Sequence, residues 1–372
     1  MPLVDKKSTP VEQSNQFKVA AFYSISNCES GLRGVSMGNF LIKRVAEQLH
    51  AELTAFQMAT AADSKFKNWR DFLPVNVNFF CHQPPAADAA REQAWRERLA
   101  PCYRELGLDP AAPIPVSNRA PFDAAFCEVV EALRPEVVSF HFGLPAPDLL
   151  ARVKGWGSVV LSSATTVDEA RWLVAHGADA VIAQGLEAGG HRGHFLSHDL
   201  SQQMGTFALL PQIVAAVDVP VIAAGGIADA AGVAAAMALG AAGVQVGTAY
   251  LCSHEATTSA LHRAALQSEA ARHTALTNVF TGRPARGIVN RAMRELGPIS
   301  PLAPAFPLAG GALAPLRAGA EAQGSGDFSP LWAGQGVALA RDTAHGLDAA
   351  PLTQRLADDA HTWLRAQPAG VQ

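Results

Sequence analysis

Cysteine is scarce in this chain and unpaired in pattern. There are five, at positions 28, 81, 102, 127 and 252, with no Cys-x-x-Cys pair among them. That argues against a zinc knuckle or a disulfide framework and fits a reducing cytoplasm. Long apolar runs are missing too: no stretch reaches the ~18 consecutive apolar residues of a membrane span. The polar start, Met1 to Phe17, lacks the apolar core of a signal peptide. Net charge is only −4, so no field of one sign argues for nucleic acid. No Gly-x-Ser-x-Gly elbow is present. Lysine nearly vanishes after the start: six of the seven precede Phe72, and arginine carries most positive charge beyond it. The first seventy residues are also poorer in alanine than the rest.

An apolar fraction of 49% with 7% aromatics suits a globular core rich in Ala, Val and Leu. From Pro74 short apolar runs alternate with helical stretches. The runs are 75–80, 137–143, 158–163, 180–183, 220–226 and 243–249. Alternation of this kind predicts parallel strands joined by right-handed crossovers. Two further candidates, Phe17–Ser24 and Leu53–Phe56, bring the count to that of a (β/α)8 TIM barrel. An open doubly wound sheet is the runner-up. The expected organisation is a polar leader over 1–16, an N-terminal part of the barrel over 17–73 and the main barrel over 74–254. Residues 255–372 complete it as a mostly helical region without a strand pattern, irregular across the proline-rich 298–315.

The chemistry gathers at strand ends. Ala180–Ala183 reads as a buried strand that breaks into Gln184-Gly-Leu-Glu-Ala-Gly-Gly-His191, where glycines let the backbone approach a ligand. Ala223-Ala-Gly-Gly-Ile227 and Val246-Gly-Thr-Ala249 end the last two strands, the place where barrels hold a phosphate on backbone N–H groups. Gly225, Gly226 and Gly247 make room there, and Thr248 adds a hydroxyl. No lysine or aspartate cluster suggests a nucleoside triphosphate with Mg²⁺, so one phosphate on a larger organic body, such as flavin mononucleotide (FMN), fits better. His141 ends a strand between Phe140 and Phe142 and is the general-base candidate; the aromatic neighbours restrict water and lower its pKa. A core histidine bonded to a carbonyl is the alternative. Asn78 is placed to meet a ring edge or is a turn residue, and Glu187 is catalytic or braces its loop through Arg192. His191, His194 and His198 lack a carboxylate or cysteine to complete a metal set.

Seven stretches occur in an order that resembles the nitronate monooxygenase family, formerly the 2-nitropropane dioxygenases. They are Asn76–Phe80, Ser139–Gly143, Ala183–Gly193, Ala223–Ile227, Gln245–Ala249, Thr281–Gly287 and Leu331–Gly336. The resemblance implies a TIM barrel holding non-covalent FMN, with a helical second region. It implies oxidation of alkyl nitronates by O₂ to a carbonyl compound and nitrite. It places Asn78, Gln184, Gly189, Gly190, Gly225, Gly226, Gly247 and Thr248 around FMN, with His141 as the catalytic base. A nitronate, already deprotonated, would rest near the flavin, steadied by His141 in its protonated form. The partners implied are small molecules, with no nucleic acid and no membrane, and a homodimer is allowed. The family's opening motifs, Gln-Ala-Pro-Met and Ser-Asn-Ala-Gly-Gly-Leu-Gly, are replaced here, Gly34-Val-Ser36 being the sole echo. An NAD(P)H-dependent flavin reductase of the same fold and a flavin-poor barrel without turnover are the alternatives.

Overall fold

The computed structural model describes residues 76–115 and 119–366. Six of its strands form one parallel sheet. They are β1 (Asn76–Phe80), β2 (Val137–His141), β3 (Val159–Ala164), β4 (Ala180–Gln184) and, after a two-residue β5 (Gly190–His191) that belongs elsewhere, β6 (Val221–Ala224) and β7 (Gly243–Gln245). Helices intervene: α1 (Ala89–Glu105) and α2 (Ala124–Leu133) after β1, α3 (Pro147–Gly155) after β2, and α4 (Val167–Ala175) after β3. Then come α5 (Thr206–Ala216), α6 (Ala230–Ala238) and the four-residue α7 (Thr248–Leu251). Neighbouring strands run β1-β2-β3-β4-β6-β7, without reversal. A doubly wound sheet would reverse its order at a switch point, so the architecture is α/β of the TIM-barrel type. The two strand candidates at Phe17–Ser24 and Leu53–Phe56, and the leader, lie outside the described residues.

Local chemistry starts the helices where the pattern demands. Asp88, Asp123 and Asp229 cap α1, α2 and α6 by accepting the N–H of Arg91, Phe126 and Gly232. Thr166 caps α4 by accepting from Glu169 N. Each cap satisfies a backbone donor that the helix itself leaves open. Strand residues then divide by parity. Val138, Phe140 and Val160 pack outward with Phe122, Cys127, Leu150 and Val153. Val137, Val159, Leu161, Ala180, Ile182, Ile222 and Ala224 cluster on the opposite, interior face. The registers Phe80↔His141 and Ala224↔Gln245 bring chemistry-bearing residues to the C-terminal ends of adjacent strands.

The last third departs from the expected pattern in two places. It contains strands: β8 (Thr274–Thr277) and β9 (Ala285–Ile288) form an antiparallel pair, and β9 also pairs with β5 in the order β5-β9-β8. Four-residue strands carrying a buried arginine and a glycine show no period to read. Helices follow at α8 (Ala260–Gln267), α9 (Arg291–Leu296), α10 (Ala309–Ala322), α11 (Val337–Ala344) and α12 (Ala349–Ala366). α10 begins inside the stretch expected to be irregular. Its Leu313 and Leu316 pack into a core with Trp95, Leu99 and Tyr103 of α1. Trp95 Nε1 and Tyr103 Oη donate to the carbonyls of Ala309 and Ala312, at 3.2 and 2.5 Å. No described helix is long and apolar enough to cross a membrane.

Candidate active site

The C-terminal ends of the six strands share one rim, and the loop after β4 lies across it. Gln184 holds that loop with both ends of its carboxamide. Nε2 donates to His191 O at 2.9 Å, and Oε1 accepts from Gly193 N at 2.7 Å. Arg192 is fully buried and braces the turn from beneath. It donates to Gln203 Oε1 (2.6 Å), Gly185 O (2.6 Å) and Gln184 O (2.8 Å). Burial, with the nearby Arg286, pushes its pKa down to about 10, so it stays charged at neutral pH. Glu187 does not pair with Arg192. Its carboxylate instead accepts from Thr206 N and Thr206 Oγ1 at the start of α5.

His141 is locked at the rim. Its Nδ1 lies 3.1 Å from Ser163 Oγ and its Nε2 lies 3.1 Å from His191 O. A carbonyl only accepts, so Nε2 carries the proton and Nδ1 holds the lone pair that the Ser163 hydroxyl meets. Burial pushes the imidazole pKa down to about 3, helped by Arg283 and Arg192 and opposed by the bond to His191. At neutral pH the ring is therefore uncharged, and protonated His141 is not available to steady an anion. Phe142 packs beside it in a tilted arrangement at 4.6 Å between centroids, while Phe140 faces the outer core. Phe142 is also one of two described non-glycine residues at positive φ, 71°. A bulky side chain there is strained and must be held by its surroundings. Those surroundings are Phe80, Phe306 and the Arg283 guanidinium, at 4.9, 5.6 and 3.9 Å from the Phe142 ring.

The two glycine-rich ends differ. Gly225 and Gly226 have φ of 116° and 72°, conformations that favour glycine, and a Cβ on Gly226 would sit 3.3 Å from Glu187 Cβ. At Gly247, the N-cap of α7, a Cβ would meet nothing within 4 Å, and no side chain caps the helix. The neighbouring α6 is filled by its own Asp229. Open space beside an uncapped helix start is what a phosphate requires. That open space and uncapped helix start fit a phosphate group. Thr248 Oγ1 accepts from Gly334 N at 3.0 Å. Gly189 serves packing: a Cβ there would lie 2.6 Å from Gly334 N. Gly190, at φ 73°, has open space around it. Asn78 is exposed and accepts from Ser139 Oγ at 2.9 Å.

Three participants were not singled out from the sequence. Ser163 meets the His141 lone pair, and Arg283 covers Phe142. Buried Glu169 accepts from Thr165 N, Thr165 Oγ1, Phe195 N and Leu196 N, tying the far end of the loop to α4. Thr166-Val-Asp-Glu169 carries the spacing of a capping box, which was the available signal for Glu169.

Comparison with known proteins agrees with this geometry. Residues 57–347 match the nitronate monooxygenase family model, and residues 1–77 match a different one, the malonyl-CoA decarboxylase C-terminal domain. The nitronate monooxygenase of Pseudomonas aeruginosa is 43% identical over 290 residues, covering 77% of this chain and 81% of that one. That of Paraburkholderia phytofirmans is 44% identical over 286 residues, covering 76% and 77%. The solved nitroalkane oxidase of Streptomyces ansochromogenes superposes with a TM-score of 0.73 at 36% identity, covering 86% of each chain. Family members are flavin-dependent oxidoreductases. With the motifs in order, the rim built from them and the model matched across most of its length, this chain belongs to the nitronate monooxygenase family.

Proposed function

We propose that the protein is an FMN-dependent nitronate monooxygenase, oxidising alkyl nitronates with O₂ to carbonyl compounds and nitrite. The observation that carries this reading is a pairing on one rim: an open, uncapped anion site at Gly247–Thr248 and a neutral imidazole at His141. FMN, when bound, supplies the redox chemistry. Gly225, Gly226, Gly247 and Thr248 surround its phosphate, Asn78 and Gly190 line the remainder, and Gly189 lets the loop close against Gly334 beside it. Gln184 contributes by fixing the loop, since its carboxamide is committed to His191 and Gly193. His141 Nδ1 takes the α-proton when the substrate is a neutral nitroalkane, and a preformed nitronate bypasses that step. The described cysteines are free, in keeping with a cytoplasmic location. We keep residues 74–254 as the barrel unit and 255–372 as its covering region.

The test is the absorbance spectrum of the purified full chain, followed by nitrite release from nitroethane and ethyl nitronate in air. A flavin spectrum with nitrite release supports the reading. Colourless protein without turnover rejects it, and rapid anaerobic bleaching of the flavin by NAD(P)H would make it a reductase instead.

A further inference from the structure

The imidazoles around the rim are held neutral. Burial pushes His82 down to about 4 and His141 and His194 to about 3, and places His191 well below its ordinary value. The charge of Arg283 contributes to the depression at each of the four; Arg119 adds to it at His191, while at His82 its backbone hydrogen bond opposes it. A nitronate brings a negative charge into this region and needs a positive group to meet it. Arg192 is committed to three acceptors, and Arg286 to Leu186 O and Thr274.

Arg283 is differently placed. Its Cζ lies 3.9 Å from the centroid of the Phe142 ring, whose neighbour in sequence is His141. One guanidinium nitrogen, Nη2, donates to His194 O. Its Nε is buried without a partner. The carboxylate that acts on it through space, Glu169, is committed to backbone donors of residues 165, 195 and 196. A partly desolvated guanidinium with an idle donor and no carboxylate in hydrogen-bond reach among the described residues gains most when an anionic or polar group arrives. A flat fork of N–H groups matches a planar pair of oxygens, as in a carboxylate or a nitronate.

We propose that Arg283 is the oxyanion-binding residue of the rim, receiving the paired oxygens of a nitronate next to Phe142 and His141. The strained backbone of Phe142 keeps the ring beneath the guanidinium and thereby fixes the cation close to the proton-accepting imidazole. The same contact serves the neutral nitroalkane, whose nitro oxygens gain negative charge as the C–H bond breaks, the electron pair enters the C=N bond and the proton reaches His141 Nδ1. This inference rests on the nitronate reading above.

The experiment compares the wild-type full chain with Arg283→Lys and Arg283→Met, both of which keep the aliphatic stem over Phe142. Two quantities are measured: KM and kcat for ethyl nitronate from nitrite release, and binding of sodium nitrate, an unreactive planar oxyanion, by tryptophan fluorescence. Arg283→Met should raise the nitronate KM and weaken nitrate binding by roughly 10- to 100-fold, the worth of a charge-assisted hydrogen bond. Arg283→Lys should fall between, and flavin content should hold. Unchanged KM and nitrate binding in Arg283→Met would overturn the proposal, as would wild-type protein that binds no nitrate. If Arg283→Met does not fold, Arg283→Lys decides by the same two measurements, and wild-type values in both overturn it. Wild-type protein that binds nitrate through Arg283 but releases no nitrite retains the anion site and rejects the nitronate reading alone.

Discussion

Ser163 Oγ meets His141 Nδ1 at 3.1 Å, so the lone pair assigned to proton abstraction is already hydrogen-bonded before any substrate arrives. The hydroxyl and the His191 carbonyl together fix the tautomer and the plane of the ring. Ser163→Ala should lower kcat on nitroethane roughly fivefold, the cost of one positioning hydrogen bond of about 1 kcal/mol. His141→Asn should cost far more on the same substrate, within the ~10²–10⁴-fold range of general-base catalysis. On ethyl nitronate both variants should stay within a few-fold of wild type, because that carbon has already lost its proton. Nitrite assays on both substrates in one buffer check this; equal losses would mean that His141 positions rather than deprotonates.

Gly247 and Gly226 should respond differently to valine. At Gly247 the protein leaves open space, so Gly247→Val should fold with an unchanged melting temperature and lose its flavin. At Gly226 the positive φ and the nearby Glu187 make any side chain strained on its own account. Gly226→Val should therefore lower both stability and flavin content. Circular dichroism melts beside flavin-to-protein absorbance ratios separate the two, and full flavin in Gly247→Val would remove the phosphate from that loop.

Glu169 is a structural anchor of the site. Replacing it with glutamine turns an oxygen that accepts two hydrogen bonds into a mismatched donor. Unfolding in urea should show a loss of about 2–4 kcal/mol. A variant as stable as wild type would mean that the corner at Phe195 and Leu196 is held by something else.

Acid should destabilise the protein well before its carboxylates titrate. His82, His141, His191 and His194 all have folded pKa values below the ordinary 6.5. The unfolded chain therefore binds more protons below that pH. Their contribution is fully present above about pH 6.5 and is lost as pH falls toward the folded values of about 3 to 4. At pH 5 each buried histidine costs on the order of 2 kcal/mol. Denaturation midpoints measured from pH 8 to pH 4.5 should fall steeply across this window, and His194→Phe should flatten the slope.

Much of this architecture could be read from residues. The strands near 76–80, 137–141, 159–164, 180–184, 221–224 and 243–245 announce themselves as apolar runs ending in polar or glycine residues. His141 and the glycine pairs were visible because their place at a strand's end already says where they face. The change in lysine and alanine usage near Phe72 lies close to residue 77, where the match to the second family model ends. β8 and β9 were missed because Ala285-Arg-Gly-Ile288 becomes a strand only through its partners, β8, β5 and Trp332. The second half of α10 is legible as a helical stretch over 316–323, but its first turns are not, because Gly310, Gly311 and Pro315 oppose a helix and only packing against Trp95 and Tyr103 outweighs them. Glu169 and Arg283 act on residues 26 and 89 positions away, which no local pattern encodes.

The rim depends on segments far apart in the chain, and this has a consequence for biosynthesis. Gly190 pairs with Arg286, Gly287 bridges to Trp332, and Gln335 N donates to Glu187 O at 2.9 Å. As the chain leaves the ribosome, strands β1 to β4, β6 and β7 can assemble on local contacts, but the loop after β4 then lacks its outer wall. It gains that wall only when the 331–336 segment emerges, some ninety residues after β7. Contacts of such long separation form late. Loading of the proposed flavin should therefore follow near-complete synthesis, and chains halted before residue 331 should emerge without cofactor even if their sheet has formed.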